Sequence, residues 1–137
     1  MYKIALLPLI LLLACQPTKE DLQKKYRQAY KIQMQSVQST TRVEAKINQI
    51  KYQIGELAKE GFQNPIMLEV MTRFTEVEKR YGDWKNQRVE LPGYTSNPDA
   101  DNEDLSVQKA IEIQNQRLKD INDILTELEA VYALTDL

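Results

Sequence analysis

The sequence predicts an all-α fold, an antiparallel three-helix bundle with coiled-coil-like packing and a long first helix. Three observations predict it. Apolar residues recur at steps of three and four in separate stretches, the repeat of one helix face packed against another. The link at Asn64-Pro65 is so short that the helices on either side of it must be antiparallel neighbours. Each stretch carries one apolar stripe, and three such stripes are buried most simply against one another. Dimerisation through the same stripes is the competing arrangement, and the short link favours closure within one chain.

The first helix is expected over residues 18–60. Thr18 followed three residues later by Asp21 has the spacing of a capping box, Pro17 stops extension backwards, and Glu20 and Asp21 sit at the positive end of the helix dipole. The apolar positions are Leu22, Tyr26, Tyr30, Met34 and Val37, then Val43, Ile47, Ile50, Ile54 and Leu57, with Gly61 as the stop. Between the two sets, residues 36–41 are rich in hydroxyl and β-branched side chains, which are indifferent helix formers. One helix with a weak middle is the expectation, and two helices joined near Ser39 the alternative.

The second helix is expected over 65–89, with Asn64 as N-cap and Pro65 at the first helical position. Its stripe is Met67, Val70, Phe74, Val77, Tyr81 and Trp84, and it fades at Leu91-Pro92-Gly93. A loop follows over 90–102. The third helix is expected over 103–134, opening on an Asp101/Asp104 capping pair and presenting Val107, Ile111, Gln114, Leu118, Ile121, Leu125, Leu128 and Tyr132. Gln114 interrupts that seam, and a single polar residue there fixes register at some cost in stability.

Upstream of the bundle, a start with one lysine, Lys3, leads into an apolar run from Ile4 to Ala14 that is too short to cross a bilayer as a helix. The run ends in Leu12-Leu13-Ala14-Cys15, which resembles the lipobox of bacterial lipoproteins: a branched apolar residue, a tolerant position and a small residue before the modified cysteine. The resemblance implies that residues 1–14 are a removed signal peptide. Cys15 would carry a diacylglycerol on sulfur and an acyl chain on its nitrogen, with no further cofactor. Two or three acyl chains, at roughly 0.8 kcal/mol per buried CH₂, make release from the membrane negligible. The expected location is the bacterial envelope, at the outer membrane, on its periplasmic face or at the cell surface. Lys19-Glu20-Asp21 is similar to the lysine-plus-acidic surface-export signal of Bacteroidota lipoproteins, while helix capping accounts for the same acidic pair.

Composition narrows the chemistry. There is no histidine and one cysteine, which excludes internal disulfides, haem attachment, Cys/His catalysis and most zinc and iron sites. A formal charge of −2 offers nothing to nucleic acid. Asp99, Asp101, Glu103 and Asp104 faintly suggest a calcium loop, but Asp104 stands where the turn glycine belongs and Ala110 where the bidentate glutamate belongs, so helix-start acidity is the better account. No metal site and no catalytic residue is expected.

Trp84, the Leu91-Pro92-Gly93-Tyr94 loop, an acidic linker and a helix opening Leu105-Ser106-Val107-Gln108 are similar to a group of small Bacteroidota lipoproteins labelled viral A-type inclusion protein. Many of those carry histidine in the loop, and this chain has none, so no metal role carries over. The expectation is a non-enzymatic, lipid-anchored adaptor or accessory subunit that offers a helical surface to another envelope protein. A carrier of an apolar ligand between the helices, and an immunity or inhibitor lipoprotein, are the alternatives. Helix lengths suggest where the partner would dock. The lipid-proximal end of the first helix outruns the other two, so Leu22, Tyr26, Tyr30, Trp84 and Tyr94 are candidate partner-binding residues, unless the loop folds back and caps them.

Overall fold

The computed structural model describes residues 16–61, 65–96 and 105–136. Four helices follow in order: α1 (Lys19–Lys25), α2 (Arg27–Lys59), α3 (Pro65–Asn86) and α4 (Val107–Thr135). The leader, Cys15, the Asn64 cap and the acidic residues Asp99, Asp101, Glu103 and Asp104 lie outside the described residues. α4 packs along both α2 and α3, whereas α2 and α3 touch only slightly. Cross-links give the directions. Ser39 meets Asn122 and Arg42 meets Glu129, so α2 and α4 run parallel. Arg73 meets Glu127 while Trp84 meets Arg117, and Tyr81 meets Glu44 while Glu78 meets Lys51, so α3 runs against both. This is the up-down-up three-helix bundle.

The capping box is present: the Thr18 hydroxyl accepts from the Asp21 amide and the Asp21 carboxylate accepts from the Thr18 amide, both at 3.2 Å. Hydrogen bonding from Thr18, through its side chain first, holds the Asp21 carboxyl below its usual range. Residues 36–41 are continuous helix, and their hydroxyls explain how. Ser36 donates back to the Ile32 carbonyl, Thr40 to that of Val37, and Ser39 reaches across to Asn122 on α4. The departure comes at Tyr26 instead, with φ −99° and ψ 11°. Backbone bonds Tyr26 to Leu22 and Tyr30 to Tyr26 carry the ladder across it, so α1 and α2 act as one rod with a local bend. At the far end Gly61 takes φ +68°, the left-handed stop expected of it.

Two expected boundaries are corrected. α3 ends at Asn86 rather than 89, because Arg117 from α4 donates to the carbonyls of Trp84 and Gln87 and caps the helix there. α4 starts at Val107 rather than 103, since Ser106 is its N-cap, its hydroxyl accepting from the Lys109 amide at 3.2 Å.

All six expected stripe residues of α3 are buried. On α4 the buried face is wider than a seam: Ala110, Ile124 and Val131 join Gln114, Ile121, Leu125 and Leu128, as befits the helix that serves two neighbours. The first half of the α2 stripe is corrected. Met34 and Val37 are 39% and 47% exposed, and the buried positions are Tyr26, Ala29, Ser36 and Val43. That true seam runs in steps of three and seven, occupied by small or polar residues where the sequence suggested large ones.

The core is consequently in two parts. One cluster gathers Val43, Ile47 and Ile50 with Phe74, Val77, Tyr81 and Trp84 and with Ile121 to Val131 of α4. The other gathers Tyr26 and Ala29 with Leu91, Leu105 and Ala110. Ser36 and Gln114, both buried, form a polar layer between them.

Candidate functional site

The loop after α3 decides the fate of the expected partner surface. Residues 87–96 fold back along α1 and cover it. Gly93 makes this possible: its φ is +81°, and a Cβ there would lie 2.9 Å from both the Gln23 nitrogen and the Leu22 Cβ. Gln23 donates its side-chain amide to the Gly93 carbonyl at 2.8 Å, and the Tyr94 hydroxyl donates to the Gln23 carbonyl at 2.8 Å. The Tyr94 ring stacks on Tyr30 with centroids 3.9 Å apart and planes 6° from parallel. Tyr26 is buried and its hydroxyl donates to the Leu105 carbonyl.

The premise that this end of the first helix is under-covered is therefore corrected. Leu22, Tyr26, Tyr30 and Tyr94 belong to one intrachain cluster closed by the loop. Trp84 belongs to the other cluster, and is latched rather than displayed. Its indole N–H donates to the Arg117 carbonyl at 3.0 Å, the Arg117 guanidinium lies 4.2 Å from its ring, and the same guanidinium holds the Trp84 carbonyl. Burial lowers the Arg117 pKa from its ordinary value, the nearby Arg88 adding to the effect and Asp120 opposing it. Changing Tyr26 to Phe should cost about 1 kcal/mol, the net worth of one buried hydrogen bond, read as a lower denaturant midpoint. An unchanged midpoint would show that the hydroxyl does not hold the segment entering α4 to the junction of α1 and α2.

Tyr30, Trp84 and Tyr94 nevertheless line one common feature, a groove of about 510 Å³ between α2, the end of α3 and the loop. It lies beside the polar layer, where α2 supplies only Ser36 to the seam. Met34 and Val37 stand along its wall and Gln114 at its floor. Sequence reasoning missed this groove because it gave Met34 and Val37 to the core. The signal available was Gln114 itself, facing no large apolar residue on the corrected α2 register.

A second apolar exposure lies at the opposite end of the bundle. On the first turns of α3, Ile66 is 37%, Leu68 71% and Met71 50% exposed. Met71 borders a shallow groove with Ile54, Phe74 and Lys51, in the gap where α2 and α3 barely touch. Elsewhere in that gap the Tyr81 hydroxyl donates to Glu44 at 2.8 Å, and burial, with the carboxylate beside it, raises the tyrosine pKa far above its ordinary value. Among the described residues no group of histidine, cysteine or carboxylate side chains is arranged to hold a metal ion, and no helix is long and apolar enough to cross a membrane.

Comparison with known proteins adds no relative: no family model matches the chain, and no curated protein and no solved structure matches it.

Proposed function

We propose that the chain is a lipid-anchored protein of the bacterial envelope, held at the outer membrane through Cys15, and that it acts without catalysis as an adaptor or accessory subunit for another envelope protein. The observation that carries the reading is the exposed apolar surface of Leu68 and Met71. These residues are three apart on α3, so they share one helix face. They sit at the end of the bundle remote from Gln16, the residue that follows Cys15 in sequence. α2 alone, at about 1.5 Å per residue, separates the two ends by roughly 50 Å. A rod tethered at one end and apolar at the other suits reach across an aqueous layer to a second protein. Leu22, Tyr26 and Tyr30, with Tyr94, then contribute as scaffold, stiffening the root of the rod.

Two measurements test this. Cys15→Ala should block lipidation and leave the leader uncleaved, read as a larger, unacylated chain on membrane fractionation. A cleaved, membrane-bound Cys15→Ala protein would remove the anchor from the reading. A photo-crosslinking residue at Leu68 should give one discrete adduct in cells, lost when Met71 is changed to Asp, with the thermal midpoint unchanged. An adduct pattern that is the same at exposed positions on every face of the bundle would overturn the adaptor role.

A further inference from the structure

Gln114 is wholly buried, yet neither its amide nitrogen nor its amide oxygen has a hydrogen-bond partner among the described residues. Enclosing both halves of a carboxamide without partners is costly, and native interiors avoid it. A register-fixing polar residue needs a polar partner across the seam. Ser36, the other buried polar residue of this layer, spends its hydroxyl on its own helix, donating to the Ile32 carbonyl. Gln114 also lines the groove, so an unpaired donor and an unpaired acceptor, both enclosed, lie directly beside it and reach it when the side chain turns.

The groove's volume of about 510 Å³ is that of a small-molecule site. Its wall has an apolar side in Met34, Val37 and Leu91, two of them exposed although large and hydrophobic. Its rim has Lys85, Arg88 and Arg117 against a single carboxylate, Glu90, which pairs with Arg88 at 3.3 Å. The three features together describe a ligand that is apolar on one side, anionic, and able both to donate to and accept from one carboxamide.

We propose that this groove binds an N-acylated amino acid or short peptide, read by Gln114 at one residue. In an extended residue the N–H and the carbonyl or carboxylate oxygen of that same residue point to one side, so a single carboxamide meets both. With the Gln114 side chain turned toward the groove, the ligand N–H donates to Oε1 and the ligand oxygen accepts from Nε2. The carboxylate then lies toward the cationic rim and the acyl chain or apolar side chain lies along Met34 and Val37. A purely apolar ligand fits less well, since it would leave the Gln114 amide as unpaired as before.

The test uses the full chain, labelled with ¹⁵N, and two probes: N-octanoyl-alanine and acetyl-Leu-Ala. At least one should shift the Gln114 side-chain amide resonances saturably, and octanoate, which lacks the amide, should bind at least about tenfold more weakly. Gln114→Leu should weaken the better probe about tenfold or more without lowering the thermal midpoint, because it removes the unpaired atoms from the interior. Val37→Asp, on a 47% exposed position, should weaken it similarly by setting a charge where the acyl chain or apolar side chain lies, with the thermal midpoint unchanged. Tighter binding of the octanoyl probe identifies a lipid-derived ligand, and tighter binding of the dipeptide a peptide. Binding of neither probe at about 10 mM, or equal binding by the wild type and Gln114→Leu, would overturn the proposal and leave Gln114 as a residue of the bundle alone.

Discussion

Changing Gly93 to alanine should unfasten the loop from α1 and lower the stability of the chain by roughly 2 to 5 kcal/mol. Two effects add. The residue holds φ +81°, where a side chain costs about 1 to 2 kcal/mol in strain. The new Cβ would also meet the Gln23 nitrogen and Leu22 Cβ at 2.9 Å and the Lys19 carbonyl at 3.1 Å, contacts with a helix that cannot give way locally. The loop must lift. With it go the Gln23 bond to the Gly93 carbonyl, the Tyr94 bond to the Gln23 carbonyl and the Tyr30–Tyr94 stack, and Leu91, which is 1% exposed, is opened to water. Gly55 is the internal control. It lies inside α2 with open space around it, so Gly55→Ala should stabilise by about 0.5 to 1 kcal/mol through helix propensity. Denaturant midpoints of the three chains, with hydrogen exchange at the Tyr94 amide, which is bonded to the Leu91 carbonyl, decide the matter. A Gly93→Ala midpoint equal to that of the wild type would mean the loop does not seat on α1.

The loop also shows where the sequence was legible and where it was not. The α3 stripe from Met67 to Trp84 could be read residue by residue, because every three- or four-residue step lands on a large apolar side chain and no competing register exists. The Thr18/Asp21 box and the Gly61 stop were equally plain, since both are local chemistry between residues close in sequence. The near half of α2 misled for a physical reason. Leu22, Tyr26, Tyr30 and Met34 recur every four residues, and a strict step of four drifts around a 3.6-residue helix, so the row that starts buried at Tyr26 ends at the surface by Met34. The true seam passes through Ala29 and Ser36, residues too small to announce themselves.

What depended on distant partners was not legible at all. Nothing local marks Arg117 as the cap of α3, because its targets, the carbonyls of Trp84 and Gln87, are about thirty positions away and come within reach only once α3 and α4 have packed antiparallel. The candidate site divided along the same line. Helix lengths place Tyr30 and Tyr94 near one another, and the structure stacks them, but as the lining of a groove and the seal of a loop. The groove's polar floor was visible only as a blemish in a heptad, Gln114.

Ile121→Ala should cost about 2 to 5 kcal/mol, and with Val37→Ala as its companion it tests the whole register of the bundle. Ile121 is fully buried in the larger cluster, on the helix that packs against both others, so α2 and α3 have to close on the vacated space together. Removing its outer carbons forfeits about 0.8 kcal/mol of transfer free energy for each buried CH₂-sized group, and incomplete collapse of the cavity adds to that. Val37 is as branched as Ile121 and was assigned by spacing to the same kind of stripe, but it is 47% exposed on the wall of the groove. Its truncation should change stability by no more than about 0.5 kcal/mol. The pair therefore separates the two registers. A seam through Met34 and Val37 demands a loss at both sites, whereas the seam through Ala29, Ser36 and Val43 demands a loss at Ile121 alone. Urea midpoints at constant m-value give the answer, and a loss below about 0.5 kcal/mol at Ile121 would put that residue, and with it the face that α4 turns to its neighbours, on the wrong side of the helix.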